Sequence, residues 1–289
     1  MTATLIPEAP TPFDPGNWGE IVDAQVIEKT HVPMRGPETW RPLPHKWAID
    51  TLEAEFRAAG FDHSEGLHYR APSRGNEKIK DLPQHGRFLS LYGLSHHNLP
   101  TVPLLRWEAG IMNSYDMTKA LQVFLGQRLS VCSNGQIMGA SEQSRRKHTK
   151  GIDVDREGHF ELIRKLIRDV VASLIPRAET QVARFNTFKD TECGNRQARD
   201  IIVEAAKQDV IGAAAVIRVN KHWEDPEHRE FKDRNAWSLF NAFTSNDRGR
   251  NIMTQSDRFS RLDAIFDSSF GLNQDSTRIS VEPVTGAAF

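Results

Sequence analysis

The chain has 289 residues, of which 38% are hydrophobic and 26% are charged, and its mean hydropathy is −0.52. These values are typical of one large globular domain or two small ones. With 19 Gly, 15 Pro and 2 Cys, they exclude collagen-like, low-complexity and disulfide-scaffold proteins. No apolar run approaches the roughly 18 residues of a membrane-spanning helix, and residues 1–15 contain no secretory signal. We therefore expect a cytoplasmic protein that contacts no membrane and keeps its cysteines reduced.

The formal net charge is −1, so the whole chain is not a polycation that must bind nucleic acid. The positive charge is nevertheless concentrated in the middle of the sequence. Between Arg87 and Lys150 there are eight Lys or Arg residues against three Asp or Glu residues. A near-neutral total therefore conceals a basic central region.

The first predicted elements follow a proline-rich segment. Residues 1–44 contain eight prolines, which remove backbone donors and prevent a long helix or a central strand. Apolar residues then recur at helical spacing, which predicts a helix over 45–59 that ends at Gly60. Three runs with strand character follow, separated by turn residues. The predicted strands cover residues 61–70, 87–95 and 103–112.

A second helix is predicted after the third strand. Asp116 is typical of an N-cap, and it precedes a predicted helix over 117–126 and a fourth strand over 128–132. Beyond about residue 140 the apolar spacing is helical. The predicted helices of this part contain residues 160–174, 176–188, 197–208, 237–243 and 259–266.

This order of elements predicts an α+β fold. We expect an antiparallel sheet of about four strands with flanking helices, followed by a helical C-terminal part. The predicted regions are a proline-rich N-terminal arm (1–44), an α+β core (45–150), a helical region packed on the core (151–272) and a flexible tail (273–289).

The sequence lacks the strong catalytic signatures. It contains no phosphate-binding glycine-rich loop, no dinucleotide fingerprint, no His-Glu-x-x-His and no Gly-x-Ser-x-Gly. His96, His97, Cys132 and His148 are residue types that bind zinc, but their spacing fits no closed structural site. Solvated or hydrogen-bonded histidines are the simpler interpretation. These observations favour a binding protein over an enzyme, and we expect no metal and no cofactor.

The densest positive run covers residues 144–150 and contains no acidic residue. Such a run is often only a solvated surface. Cations and aromatic residues on the neighbouring predicted strands favour a groove, in which the cations contact phosphates and the rings stack on bases. The cationic candidates are Arg106, Arg128, Arg145, Arg146, Lys147 and Lys150. The stacking candidates are Tyr92, Trp107 and Tyr115, although each of these rings also fits a hydrophobic core.

Two further motifs have both a functional and a structural interpretation. Residues 113–116 read Asn-Ser-Tyr-Asp, and such side chains can position a ligand at a helix N-terminus. A plain turn with an N-cap requires the same residue types, and that interpretation is favoured. Trp237, Phe240 and Phe243 have helical spacing, and core packing is favoured for them over an exposed interface.

Several segments resemble one protein family. The resemblance is clearest at residues 110–120, Gly-Ile-Met-Asn-Ser-Tyr-Asp-Met-Thr-Lys-Ala, and continues through 125–134 and 144–150. It begins at Val32-Pro33 and Leu43-Pro44-His45, and it returns at 222–226 and 236–244. On these motifs the chain is identified as a member of the phage- and plasmid-associated group catalogued as domain-of-unknown-function family 932, over about residues 32–266.

The chain departs from the family pattern at three positions. Tyr115 and Met117 stand where the family often has His and Lys, and Ser133 stands where it often has Asp. We therefore expect no role that requires an imidazole, an ammonium or a carboxylate there. The residues that match the family, without a known role, are Asn113, Ser114, Asp116, Cys132 and Asn134.

The resemblance implies a mobile element of a bacterial cell and neighbours in DNA metabolism. The predicted order of helix, three strands and helix is also similar to the core of phage single-strand annealing proteins, although a fold does not fix a function. We therefore expect a non-enzymatic protein of a phage or plasmid that binds single-stranded DNA and promotes strand annealing or recombination as a homo-oligomer. The expected DNA contacts are Arg106, Trp107, Tyr115, Arg128, Arg145, Arg146, Lys147 and Lys150.

Two alternatives remain open at this point. The first is a protein-interaction factor that inhibits a host system without binding DNA and uses its aromatic helices as the interface. The second is a nuclease or another hydrolase, for which Glu108 and Asp116 are the acidic candidates near the basic region.

Overall fold

The computed structural model describes residues 7–10, 12, 15, 19–34, 36, 40–102, 105–129, 143–146, 156–246 and 252–271. For residues 127–129, 143–146, 156–157 and 252–257 it describes the backbone only. The described residues form an antiparallel sheet followed by a helical C-terminal part. The α+β fold class is therefore confirmed. None of the helices in these ranges is long and apolar enough to cross a membrane.

Seven strands of the described chain form one sheet. The strands are β1 (Glu20–Val22), β2 (Asp62–His63), β3 (Leu67–Ala71), β4 (Arg87–Ser95), β5 (Leu105–Ser114), β6 (Leu121–Leu129) and β7 (Gln143–Arg146). Neighbouring strands pair in the order β1-β3-β4-β5-β6-β7, and β2 pairs with β4. All of these pairings are antiparallel. The sheet exceeds the predicted four strands because the short strands β1, β2 and β7 add to it.

The first face of the sheet packs against helices. Alternate apolar residues of the strands, such as Phe88, Ile111 and Val123, form one core cluster with residues of three long helices and of one short helix described below. The long helices are α2 (His45–Ala58), α3 (Arg156–Ala172) and α4 (Leu174–Asp190). The α2 helix confirms the prediction for 45–59, and Gly60 with a φ of 79° follows its end.

The intervening side chains of each strand lie on the opposite side, which we call the second face. Gly110 of β5 is in register between Leu91 and Phe124, and the Phe124 ring occupies the space that a side chain at Gly110 would need. The apolar centre of the second face is fully buried and consists of Tyr69, Leu89, Leu91, Met112 and Phe124. The centre of the second face is therefore shielded from solvent, whereas Arg106 on the same face is 43% exposed.

The helical C-terminal part has a core of its own. Its helices are α5 (Asn195–Lys207), α6 (Ala213–Glu224), α7 (Ala236–Asn246) and α8 (Ile252–Phe270). Every residue of α7 is buried, and Trp237, Phe240 and Phe243 belong to the core cluster that also contains Phe188 and Phe266. The core interpretation of this aromatic motif is confirmed, whereas α6 was not predicted.

The predicted helix over 117–126 is wrong, because residues 121–129 form strand β6. Leu121, Val123 and Leu125 pack into the helix-facing core, as expected from a period of two rather than 3.6. Asp116 caps no helix, since its carboxylate accepts the backbone N–H of Thr118 in a tight turn. The predicted order of helix, three strands and helix is therefore corrected, because the element that follows β5 is strand β6 and not a helix.

Two further segments differ from the sequence prediction. Residues 143–146 form strand β7 at the end of the sheet path, although the chain beyond 140 was predicted to be helical. The proline-rich arm contributes the edge strand β1 and the short helix α1 (Ala24–Glu28), and Ile27 is buried in the helix-facing core. The arm is therefore partly integrated into the fold.

Candidate functional site

The family motif at residues 113–116 lies at the end of β5 and in the turn that follows it. All four side chains are at most 1% exposed. Strand alternation cannot bury four consecutive residues by itself, so other segments must cover the turn. We call residues 113–116 and the residues that they contact the motif hub.

Asn113 connects the hub to the start of α2. Its amide nitrogen Nδ2 donates to the carbonyl oxygen of Leu43 at 3.0 Å and lies 3.3 Å from His45 Nδ1. The backbone N–H of His45 in turn donates to the hydroxyl oxygen of Tyr115 at 2.9 Å. The Tyr115 hydroxyl therefore accepts a hydrogen bond from a backbone N–H in the first turn of α2, where such groups have no partner within the helix.

Asp116 connects the hub to the loop between β3 and β4. Its carboxylate accepts the backbone N–H of Arg74 at 2.8 Å and the hydroxyl of Thr118 at 2.5 Å. The Arg87 guanidinium nitrogen Nε lies 3.6 Å from the same carboxylate, and both side chains are buried. Burial lowers the pKa of Arg87, and the Asp116 charge opposes this shift. The carboxylate is therefore fully engaged in holding two loops together.

The remaining motif residues are similarly occupied. Ser114 Oγ accepts the N–H of Lys119 at 2.9 Å and donates to its carbonyl at 3.0 Å, which closes the β5–β6 turn. Met117 adopts a φ of 63° in this turn. No helix begins here, so the favoured interpretation of the motif as a turn is supported, although without its N-cap. Cys132 and Asn134, the other family-matching residues, lie outside the described residues.

The predicted DNA contacts are distributed over three neighbouring strands. Arg106 of β5 and Arg128 of β6 are direct Cα partners. Arg145 and Arg146 of β7 pair with Gln122 and Leu121, near the start of β6. The structure therefore brings the four arginines onto adjacent strands of one sheet. The register places Arg106, Arg128 and Arg145 on the second face and Arg146, the partner of the helix-facing Leu121, on the first. Lys147 and Lys150 lie outside the described residues.

The predicted stacking residues are not accessible. Trp107 is buried on the helix-facing side and donates its indole N–H to the Pro100 carbonyl at 2.8 Å. Tyr115 is buried against His45, and Tyr92 is buried with its hydroxyl donating to Glu53 at 3.0 Å. Strand alternation also places Trp107 on the face opposite to Arg106. The groove with interleaved cations and exposed rings is therefore corrected to a cationic strip without these three rings.

The histidines that were considered as zinc ligands follow β4 in a turn. The ring centroids of His96 and His97 lie 4.1 Å apart. In the part of the chain that the structure describes, no group of three or more His, Cys, Asp or Glu residues is arranged to hold a metal ion. Cys132 and His148 lie outside that part.

Sequence reasoning missed two polar contacts of the candidate site. The first is the buried pair of Arg87 and Asp116, which are 29 positions apart and carry no sequence signal that joins them. The second is an ion pair between the Arg106 guanidinium and the Glu8 carboxylate of the N-terminal arm. Predicting either contact requires the register of the sheet and the path of the arm.

The comparisons with known proteins identify one family. A family model described as "Domain of unknown function (DUF932)" matches residues 105–266. The match includes the motif residues 113–116 and the resembling segments at 222–226 and 236–244, whereas the resembling segments at 32–45 precede it. No curated protein and no solved structure matches the chain. Because the matched region covers more than half of the sequence, the chain belongs to this family of proteins with a domain of unknown function.

Proposed function

We propose that the protein binds single-stranded DNA and promotes strand annealing or recombination for a phage or plasmid. The observation that carries the proposal is the charge of the last two strands of the sheet. Strands β6 and β7 contain Arg128, Arg145 and Arg146 and no acidic residue, and Arg106 of β5 is the Cα partner of Arg128. Phosphate groups are the natural ligands of such an arginine-rich strip.

The arginines mark two ends of β6. Arg128 lies near its C-terminal end, and Arg145 pairs with Gln122 near its start on the same face, whereas Arg146 lies on the opposite face. At about 3.3 Å per residue, these positions are separated by roughly 20 Å along the strand. This separation suits a strand of nucleic acid that contacts the strip through more than one phosphate.

Burial of the three candidate rings favours a particular mode of binding. Tyr92, Trp107 and Tyr115 form no stacking platform, so the proposed contacts are to the backbone rather than to bases. Bases that are not held in aromatic pockets remain free to pair with a complementary strand. Phosphate contact without base stacking is therefore compatible with annealing, which breaks and forms no covalent bond. A homo-oligomer in the cytoplasm is part of this proposal.

The test is fluorescence anisotropy of a labelled oligonucleotide at several salt concentrations. Arg145, Arg146 and Lys147 are replaced together by Ala, and a matched triple variant replaces the exposed cations Arg196, Lys207 and Lys221 of α5 and α6. The magnitude of the salt slope should fall by ~0.7 for each phosphate contact that the triple variant removes from a single strand. The control should retain both the affinity and the slope.

A complementary-strand annealing assay follows with the same variants, and the annealing rate should fall with affinity. Absence of binding to single-stranded DNA at low salt would contradict the proposal. An equal loss of DNA affinity in both triple variants would contradict the assignment of the DNA contacts to β7 and the residues that follow it.

The alternative is a protein-interaction factor that inhibits a host system. Its expected aromatic interface is buried in the C-terminal core, so it would have to use other apolar residues. Ile217 of α6 is 78% exposed and Val203 of α5 is 46% exposed, and these side chains are the observation that favours such an interface. This alternative would be favoured if the wild type captures a defined host protein, the Ile217→Ser variant does not, and neither protein binds DNA.

A further inference from the structure

The N-terminal arm crosses the second face of the sheet at Gly93. Gly93 of β4 is the register partner of Glu108 on β5, two residues from Arg106. A side chain at Gly93 would collide with the backbone carbonyl oxygen of Glu8. The arm is therefore in direct contact with the backbone of β4 at this point, and glycine is required for the approach.

The side chain of the same arm residue reaches a proposed DNA contact. The Glu8 carboxylate forms an ion pair with the Arg106 guanidinium. A carboxylate and a phosphate both bind a guanidinium through negatively charged oxygens that accept its N–H groups. Glu8 therefore occupies the position at Arg106 that a DNA phosphate would take.

We propose that the arm is an autoinhibitory strap, in which Glu8 masks Arg106 in the free protein and is displaced by a phosphate of single-stranded DNA. This inference rests on the proposed DNA-binding function, and it assigns a regulatory role to residues 7–10. The arm lowers the affinity of the sheet for single-stranded DNA, because the Glu8 contact must break before Arg106 can bind a phosphate.

The contact has the properties of one that can be exchanged. The two paired side chains are 43% and 71% exposed, and an exposed ion pair contributes little free energy. Pro7 and Pro10 have no backbone N–H to donate. Between the described residues, no backbone hydrogen bond joins Pro7–Pro10 to the sheet. A polyanion that brings several phosphates can therefore compete with a single carboxylate.

The first test is Glu8→Gln, measured by oligonucleotide anisotropy over a range of salt. Freeing Arg106 should tighten single-strand binding about two- to fivefold. The salt slope should change by less than the ~0.7 of one phosphate contact, because displacement of Glu8 gives the wild-type complex the same Arg106–phosphate contact. The matched control is Glu20→Gln, which removes the same charge from a carboxylate paired with Arg70. The control should change neither quantity.

A second test detects the position of the arm directly. A protease that cleaves after glutamate can act between Glu8 and Ala9, and cleavage after Glu20 in β1 is the internal reference. Single-stranded DNA should accelerate cleavage after Glu8 relative to Glu20. Gly93→Ala should accelerate it without DNA, because the added methyl group excludes the Glu8 carbonyl. Gly194→Ala is the control, because a methyl group there meets no other atom within 4 Å, and it should not change the rate of cleavage after Glu8.

The outcomes separate the two proposals. If single-stranded DNA binds but neither the affinity of Glu8→Gln nor the cleavage after Glu8 changes, the strap is contradicted and DNA binding stands. If the wild type and Glu8→Gln both fail to bind at low salt, both proposals are contradicted. A gain in Glu8→Gln that disappears in the Glu8→Gln/Arg106→Ala double variant supports the strap through Arg106.

Discussion

The imidazole ring of His45 lies parallel to the phenol ring of Tyr115, with 3.8 Å between the ring centroids and 4° between the planes. The same two residues are joined by the hydrogen bond from the His45 backbone N–H to the Tyr115 hydroxyl oxygen. Burial raises the pKa of Tyr115 well above its usual range, so the hydroxyl stays neutral. This pair fastens the first long helix to the family motif.

Replacement of Tyr115 by Phe should destabilise the protein by about 1–3 kcal/mol, because it leaves a buried backbone N–H without its acceptor. Tyr92→Phe removes a hydroxyl that donates to the half-buried Glu53, which can turn to water, so its cost should be smaller. Urea unfolding curves of the two variants measure the difference. Equal losses would show that the Tyr115 hydroxyl is not a special contact of the hub.

Asp116→Ala should cost about 3 kcal/mol or more, because it leaves the buried Arg87 without its counter-charge and three donors without an acceptor. Asp116→Asn retains an oxygen acceptor for Thr118 and should cost less. Asp50→Ala, which removes an exposed partner of Lys46, should cost less than about 1 kcal/mol. Thermal and urea unfolding test this order. A mild effect of Asp116→Ala would mean that the carboxylate has a role other than joining the loops.

Met117→Gly should stabilise the protein by about 0.5–1 kcal/mol. Met117 has a φ of 63°, where a β carbon is strained and glycine is not. Met34→Gly is the matched change at another exposed methionine, which is not among the described residues with positive φ, and it should not stabilise. If Met117→Gly lowers the unfolding midpoint, the Met117 side chain makes a contact that outweighs the backbone strain.

Burial raises the pKa of the Cys193 thiol to about 11 from a usual value of 9.0. At pH 8 the native protein should therefore contain roughly one hundredfold less Cys193 thiolate than the unfolded chain, and iodoacetamide should label it slowly. Peptide mass mapping with and without urea measures the rate at Cys193 separately from Cys132. Equal native and unfolded rates would contradict the prediction.

The same shift makes stability depend on pH in the alkaline range. Between pH 9 and 11 the unfolded state loses the thiol proton while the folded state keeps it. The unfolded state is then favoured, so the free energy of unfolding should fall as the pH rises through this window. In the Cys193→Ala variant the free energy of unfolding should fall less steeply between pH 9 and 11 than in the wild type.

Much of the fold could be predicted from apolar periodicity. The helix at 45–59 and the strand at 87–95 were placed almost to the residue, because each has a long regular pattern and clear turn residues at its ends. The error at 117–126 arose because Asp116 suits both an N-cap and a tight turn. The alternation of Leu121, Val123 and Leu125 fits a strand, and pairing with β5 and β7 holds β6 in that conformation.

The candidate site was less predictable. The arginines of β5, β6 and β7 were identified from charge alone, and their side-by-side placement depends on sheet register. The aromatic residues were assigned to both stacking and core packing, and burial assigns Trp107 and Tyr115 to the core. The contact of Glu8 with Arg106 joins positions 98 apart, and such pairs are set by the path of the chain.

The motif hub also determines where the chain can be divided. The family match begins at residue 105, but Asn113 takes its carbonyl partner from Leu43 and Asp116 takes an amide partner from Arg74. A fragment of residues 105–266 would also lack β4, the strand that pairs with β5 along most of its length. The segment that defines the family is therefore not a separable folding unit, and recombinant work on this chain requires the preceding residues.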